Sequence, residues 1–160
     1  SRKEKQNKMG TEIATFAAGC FWYMEEVFDK TPGVISTRVG YIGGKKPSPT
    51  YANVCSGITG HVESVEVAFN PAKVSYEKLL GVFWNIHDPT TKDRQGPDVG
   101  SQYNPIIFYH SEKQRKAAAE SRAEIQRSIE RKIVTKIKKV SKFWPAEEYH
   151  QKYYKKQKNF

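Results

Sequence analysis

EIATFAAGCFWYMEEVFDK, residues 12–30, changes period in its middle. Glu12 to Ala18 is short, apolar and strand-compatible, Gly19 breaks it, and Phe21, Met24 and Phe28 then recur at helical spacing up to Lys30. A strand running into a helix, with Cys20 at the junction, is therefore the first unit of the fold. Thr31, Pro32 and Gly33 stop the helix, and Val34 to Tyr41 reads as a second strand closed by Gly43 and Gly44. A loop rich in Gly, Pro and Ser follows through Thr50. His61 to Phe69 alternates, with His61, Glu63, Val65, Val67 and Phe69 on one face and Val62, Ser64, Glu66 and Ala68 on the other.

The second half of the chain reads less regularly. Ser75 caps a helix to His87 whose buried stripe is Tyr76, Leu79, Leu80, Phe83 and Ile86, and Pro89 ends it. Residues 88–103 hold one sizeable aliphatic residue, Val99, and read as an irregular segment of a length that compact domains usually reserve for function. PIIFY at 105–109 is a buried strand. Ser111 and Gln114 form a capping box for a long helix to Arg131, helped by Ala117, Ala118 and Ala119. Ile133 to Val140 reads as an edge strand with protective lysines, and Pro145 starts a short helix fraying toward Phe160. With no repeated βα unit and no internal repeat, the class is α+β. The 160 residues, 38% hydrophobic, suffice for one core. Residues 1–10 read as a disordered N-terminal arm, and 11–160 as a single domain with a basic C-terminal helix and tail.

Composition removes several function classes. No apolar run approaches the ~20 residues of a membrane span, and no apolar stretch follows the basic opening to make a secretory leader. Two cysteines cannot build a disulfide framework or a four-ligand zinc site, and the four histidines lack paired spacing, so no metal is expected. The net charge of +10 is concentrated at the ends: residues 1–9 hold four Lys/Arg against one Glu and residues 112–160 fifteen against six acids. Residues 10–111 hold eight against ten, so the body carrying both cysteines is slightly acidic and a nucleic-acid partner is not expected.

The remaining residues permit thiol chemistry. At a helix start, Cys20 meets unpaired N–H groups that favour its thiolate, so a lowered thiol pKa is expected; its bland alternative is a buried small hydrophobe. The strand alternation turns the Glu63 carboxyl inward, where burial raises its pKa and suits it to donate a proton; its bland alternative is a strand-end Glu whose side chain bends back to solvent. His61, on the same face, is either a group at the substrate or a packed, hydrogen-bonded ring. Tyr51, Asp98 and Tyr103 lie at or beside the two loops and can hold a polar substrate oxygen. Phe21 and Trp22, aromatics that follow a strand, read as core. Cys55 is either inert or a disulfide partner for Cys20.

GCFW at 19–22, GYIGG at 40–44, PTY at 49–51, VCSG at 54–57, TGHVE at 59–63, FW at 83–84, HDPT at 87–90, QG at 95–96, DVG at 98–100, QY at 102–103 and PAEEYHQ at 145–151 resemble, in order and spacing, the A-type peptide methionine sulfoxide reductases. The resemblance runs from about Glu12 to Tyr154. It implies a two-layer α+β sandwich, a mixed β-sheet with a ferredoxin-like core flanked by helices, and reduction of the S epimer of methionine sulfoxide, free or in oxidised proteins, without metal or organic cofactor. Cys20 resembles the family's nucleophile, Glu63 its proton donor, Tyr51 and Tyr103 its oxygen-binding hydroxyls, Phe21 and Trp22 the walls around the substrate methyl, and Asp98 a substrate-binding position. No cysteine follows Cys55, so the C-terminal resolving cysteines of many relatives are absent. Either Cys55 resolves the Cys20 sulfenic acid, or an external thiol, a thioredoxin-like protein or a small thiol, attacks it directly. A cytoplasmic monomer is expected. The alternatives are a redox-responsive binding module that turns nothing over and a polyanion binder using the basic tail.

Overall fold

The computed structural model describes residues 10–157, so nearly all of the expected N-terminal arm and the last three residues of the tail lie outside the described residues. The first two strands and the helix between them follow the local pattern: β1 (Glu12–Ala17), α1 (Phe21–Asp29), β2 (Val34–Ile42). A five-residue helix, α2 (Tyr51–Cys55), then precedes β3 (Val62–Phe69), α3 (Tyr76–Asn85), the two-residue strands β4 (Arg94–Gln95) and β5 (Asp98–Val99), and β6 (Ile106–Tyr109). The chain closes with α4 (Glu112–Ser128), β7 (Lys136–Lys139), β8 (Trp144–Pro145) and α5 (Tyr153–Gln157).

Six strands form one sheet in the order β7-β6-β1-β3-β2-β8, with β6 and β7 parallel and the other pairs antiparallel. Inside it, β1-α1-β2-β3-α3-β6 is a split βαβ arrangement with strand order 6-1-3-2, the ferredoxin-like core. Alternation along each strand gives the sheet two faces. One packs Ala14 and Phe16, Val39 and Tyr41, and Val65, Val67 and Phe69 against Phe21, Met24 and Phe28 of α1 and Leu79, Leu80 and Phe83 of α3. Phe16 stacks at 5.1 Å on both Phe28 and Phe83, joining the two helices through the sheet. Truncating such a residue to alanine costs about 3–5 kcal/mol. The other face carries only a small cluster of Ala17, Ile42, Val62, Ile106 and Phe108, covered by Val140 and Phe143.

Local hydrogen bonds explain where the chain departs from its pattern. Thr50 and Asn53 form a reciprocal capping box, which makes a helix of residues that otherwise read as the end of a loop. Ser111 caps α4, but the Gln114 side chain accepts from His110 N–H and donates to Ile13 O instead of returning to Ser111, so the expected reciprocal box is absent. The helix stops at Ser128 rather than Arg131 because Ile129 is extended and the Gln126 amide ties Arg131 O and Ile133 N–H into a turn. Pro145 belongs to an edge strand paired with Gly40, not to a helix start; helical turns begin only at Glu148. Residues 88–103 contain the β4–β5 hairpin and a 3-10 turn at Ser101–Tyr103. No helix among the described residues is long and apolar enough to cross a membrane.

Candidate active site

Gly19 takes φ +85° to turn β1 into α1, and a Cβ there would lie 2.9 Å from Cβ of Gln95. This places Cys20 at the N-cap of α1 beneath the 88–95 loop, which the buried Gln95 amide ties together through the Asp88 backbone and Thr91. The half-buried thiol is pushed up to about 11. Burial is the main cause and the Glu63 and Asp98 charges add to it; together they outweigh the Trp22 and Tyr23 backbone hydrogen bonds that favour the thiolate. The lowered pKa expected from the helix start is therefore reversed. At neutral pH Cys20 is a thiol.

Glu63 stands on β3 opposite Tyr41 and is 1% exposed. Phe21 N–H donates to its Oε1 at 3.3 Å, and its Oε2 has no partner among the described residues. Burial pushes the carboxyl up to about 8, against the Phe21 hydrogen bond and with help from Asp98, so it carries a proton at neutral pH. The inward alternation of β3 thus delivers a carboxylic acid to the backbone of the residue following the thiol.

Two tyrosines approach from separate elements. Tyr51 opens α2 with its ring 4.4 Å from that of His150 and 6.4 Å from Phe21, and burial first, then the neighbouring Cys55 thiol, raises the pKa of its hydroxyl. Tyr103 ends the 3-10 turn and is pushed up to about 12, mainly by burial and then by the Glu63 charge, with the Gln102 side chain acting against them. Gly100 makes room for Gln102, whose side-chain oxygen would collide with a Cβ there. Asp98, on the β4–β5 hairpin, adds negative charge that Cys20, Glu63 and Tyr103 all sense. Cys55 is exposed, and both cysteines are free.

Phe21 is wholly buried, whereas half-buried Trp22 stacks on Tyr153 at 3.8 Å and donates its indole N–H to His150 Nδ1 at 2.9 Å. His61 does not join this group. Its Nδ1 accepts from Gly44 N–H and its Nε2 bonds Lys46 O, so the ring holds the 44–46 loop and both nitrogens are used; the packed reading replaces the substrate-binding one. No cluster of metal-ligating side chains occurs among the described residues.

Glu147, His150, Gln102 and Gln95 stand in the quoted motifs without an assigned role, and the structure gives each a partner near the site. Glu147 accepts from Tyr41 O–H (2.9 Å) and Tyr51 N–H (3.0 Å), linking the chain after β8 to the start of α2. Gln151 clamps both backbone groups of Val39. A carboxylate and a histidine interleaved with aromatics inside a lysine-rich tail was the available signal.

A protonated thiol at a helix start, with a carboxylic acid at the next backbone amide and tyrosines alongside, defines a thiol oxidoreductase rather than a hydrolase. Among the described residues no histidine is coupled to the cysteine, whose ionisable neighbours are Glu63 and Asp98. The family model for peptide methionine sulfoxide reductase matches residues 12–160. Peptide methionine sulfoxide reductase MsrA of Methanothermobacter thermautotrophicus is 58% identical over 147 residues, 91% of this chain and 87% of that protein. Among solved structures, reduced Mxr1 of Saccharomyces cerevisiae superposes with a TM-score of 0.88 at 36% identity, covering 94% of this chain and 88% of the other. Mxr1 in complex with Trx2 matches with a TM-score of 0.64 at 25% identity, covering 90% and 85%. The chain belongs to the peptide methionine sulfoxide reductase family, and it is an enzyme of thiol-dependent sulfoxide reduction.

Proposed function

We propose that residues 11–160 act as one catalytic domain that reduces the S epimer of methionine sulfoxide, free and in oxidised proteins, through a sulfenic acid on Cys20. The observation that carries this reading is the buried Glu63 carboxyl, protonated at neutral pH and bonded to the backbone N–H of Phe21, the residue after the thiol, with an unpartnered oxygen. Tyr51 and Tyr103 hold the sulfoxide oxygen, Phe21 and Trp22 enclose the substrate methyl, and Asp98 orders the polar end. Glu63 gives its proton to the sulfoxide oxygen as Cys20 sulfur attacks the substrate sulfur, and the thiol proton replaces the one Glu63 gave. The S–O bond breaks, the substrate sulfur gains two electrons, and the oxygen with its proton ends on Cys20 as S–OH.

A thiol then displaces water from the sulfenic acid to form a disulfide, and a second thiol returns Cys20. The Trx2 complex of Mxr1 supports a thioredoxin-like protein as final reductant, with a small thiol as alternative. Cys55, exposed at the end of the helix that Tyr51 opens, is our candidate for the first displacement. Such a cycle suits a monomer in the reducing cytoplasm and requires neither metal nor organic cofactor.

Mixing prereduced protein with either epimer in the absence of reductant tests the scheme. About one methionine per chain from the S epimer alone, lost in Cys20→Ser, is expected from the stoichiometry above. Loss of both thiols with an intramolecular bond assigns resolution to Cys55, whereas a trappable sulfenic acid beside a surviving thiol assigns it to the external reductant. No methionine from either epimer overturns the reading in favour of a redox-responsive binding module.

A further inference from the structure

His150 is 1% exposed in a box of rings, 4.1 Å from Tyr149, 4.4 Å from Tyr51, 5.1 Å from Phe21 and 5.5 Å from Trp22. The indole nitrogen of Trp22 can only donate, so Nδ1 of His150 must be the bare, accepting nitrogen and Nε2 must carry the hydrogen. Burial lowers the pKa of the ring, against the Glu147 charge, which keeps this neutral form in place. Yet Nε2 has no partner among the described residues. A buried donor left without an acceptor is destabilising, and a phenylalanine would fill the same box without that penalty. What imidazole supplies and phenylalanine does not is the acceptor for Trp22.

Trp22 needs one. Stacking on Tyr153, with planes 9° apart, fixes the tilt of the indole but leaves it free to slide and rotate within its own plane. A hydrogen bond at one edge removes that freedom. The chain that carries His150 is itself anchored away from the thiol, by Glu147 on Tyr41, by Gln151 on Val39 and by Lys152 on Glu25.

We infer that His150 is a positioning residue: by accepting the Trp22 indole hydrogen it holds one wall of the sulfoxide pocket in the orientation that receives the substrate methyl. This rests on the proposed role of Trp22 and adds to it a determinant of substrate affinity on the segment after β8.

The test separates affinity from chemistry. In His150→Phe, which keeps the packing, KM for the S epimer should rise about tenfold while the saturating single-turnover rate stays within about threefold of wild type. His150→Asn, whose Oδ1 can replace Nδ1 as acceptor, should restore KM to within about threefold. Trp22→Phe should show the same loss, and the double variant with His150→Phe should add nothing to it. The Trp22 indole N–H resonance, identified by its disappearance in Trp22→Phe, should move in His150→Phe and return in His150→Asn. This reading needs no turnover, so it stands or falls independently of the reductase activity. An unmoved resonance in His150→Phe, or a saturating rate that falls while KM holds, overturns the inference.

Discussion

Two glutamates of this chain are almost equally buried and live opposite lives. Glu25, on α1 and 2% exposed, accepts from the Thr37 hydroxyl at 2.8 Å, from Lys152 N–H at 2.6 Å and from Lys152 Nζ at 2.8 Å. Glu63, on β3 and 1% exposed, receives one backbone N–H at 3.3 Å and keeps an oxygen unpartnered. Burial alone therefore decides nothing. A carboxylate surrounded by donors is a structural pin, here fastening the C-terminal segment to α1 and β2. A carboxyl surrounded by rings and aliphatic side chains keeps its proton and has it to give.

The largest effect should come from Glu63→Gln. Losing a positioned proton donor costs about 10²- to 10⁴-fold in rate, read as the single-turnover formation of methionine at saturating S epimer. In wild type the rate should fall as pH rises through about 8, because the donor is then ionised. Since Cys20 titrates only near 11, no thiolate limb should precede that fall. A rate that climbs to pH 8 and then levels would instead make thiol ionisation limiting and sink the relay from thiol to carboxyl. Stability carries the same signature. The folded chain holds the Glu63 proton up to about 8 and the unfolded chain only to about 4.5, so the contribution is full below 4.5 and is lost as pH rises to 8. Denaturant titrations should show that slope in wild type and not in the variant.

Glu25→Gln should do the reverse. It keeps an acceptor but strips the charge from a buried pair, and because Lys152 is 30% exposed and can turn to water, the loss should be about 1–3 kcal/mol rather than the full cost of a buried orphan. The saturating rate should change little. If Glu25→Gln instead loses rate as deeply as Glu63→Gln, the contrast between pin and donor collapses.

Alternation from His61 to Phe69 was enough to place the Glu63 carboxyl among core residues, because period two on a half-buried strand is set by the sheet itself. The Gly19 break likewise located Cys20, since a strand-to-helix turn needs a positive φ that glycine supplies. The sign of the Cys20 shift was out of reach. It depends on how much of the thiol the 88–95 loop and neighbouring side chains cover, and no local pattern reports that. Nor did local pattern predict the return of residues 144–152 over the site, because Glu147, His150, Gln151 and Lys152 act across more than one hundred residues on partners the sheet order brings near. Their lysine-rich setting pointed to a solvated tail, and the β8 pairing with Gly40 and Tyr41 is what made it part of the site.

Glu66 completes the comparison from the outside. It lies three residues beyond Glu63 on the same strand, faces the other side of the sheet, and meets Arg38 of β2 at 2.6 and 3.2 Å in a two-pronged pair. Its register partner is that same Arg38, so the pair is a cross-strand contact fixed by the sheet. The Arg38 side chain is 49% exposed, so water competes for both ends of the bond and salt screens it. Glu66→Gln should therefore cost no more than about 0.2–1 kcal/mol in dilute buffer, shrink further at high salt, and leave the methionine-forming rate unchanged. Measured beside Glu63→Gln and Glu25→Gln, it isolates what surrounds the carboxyl as the variable, since all three changes replace one carboxyl oxygen by an amide nitrogen. A rate loss in Glu66→Gln would mean that β3 transmits strain from its outer face to the thiol, and the assignment of function to the lining of the inner face would have to give way.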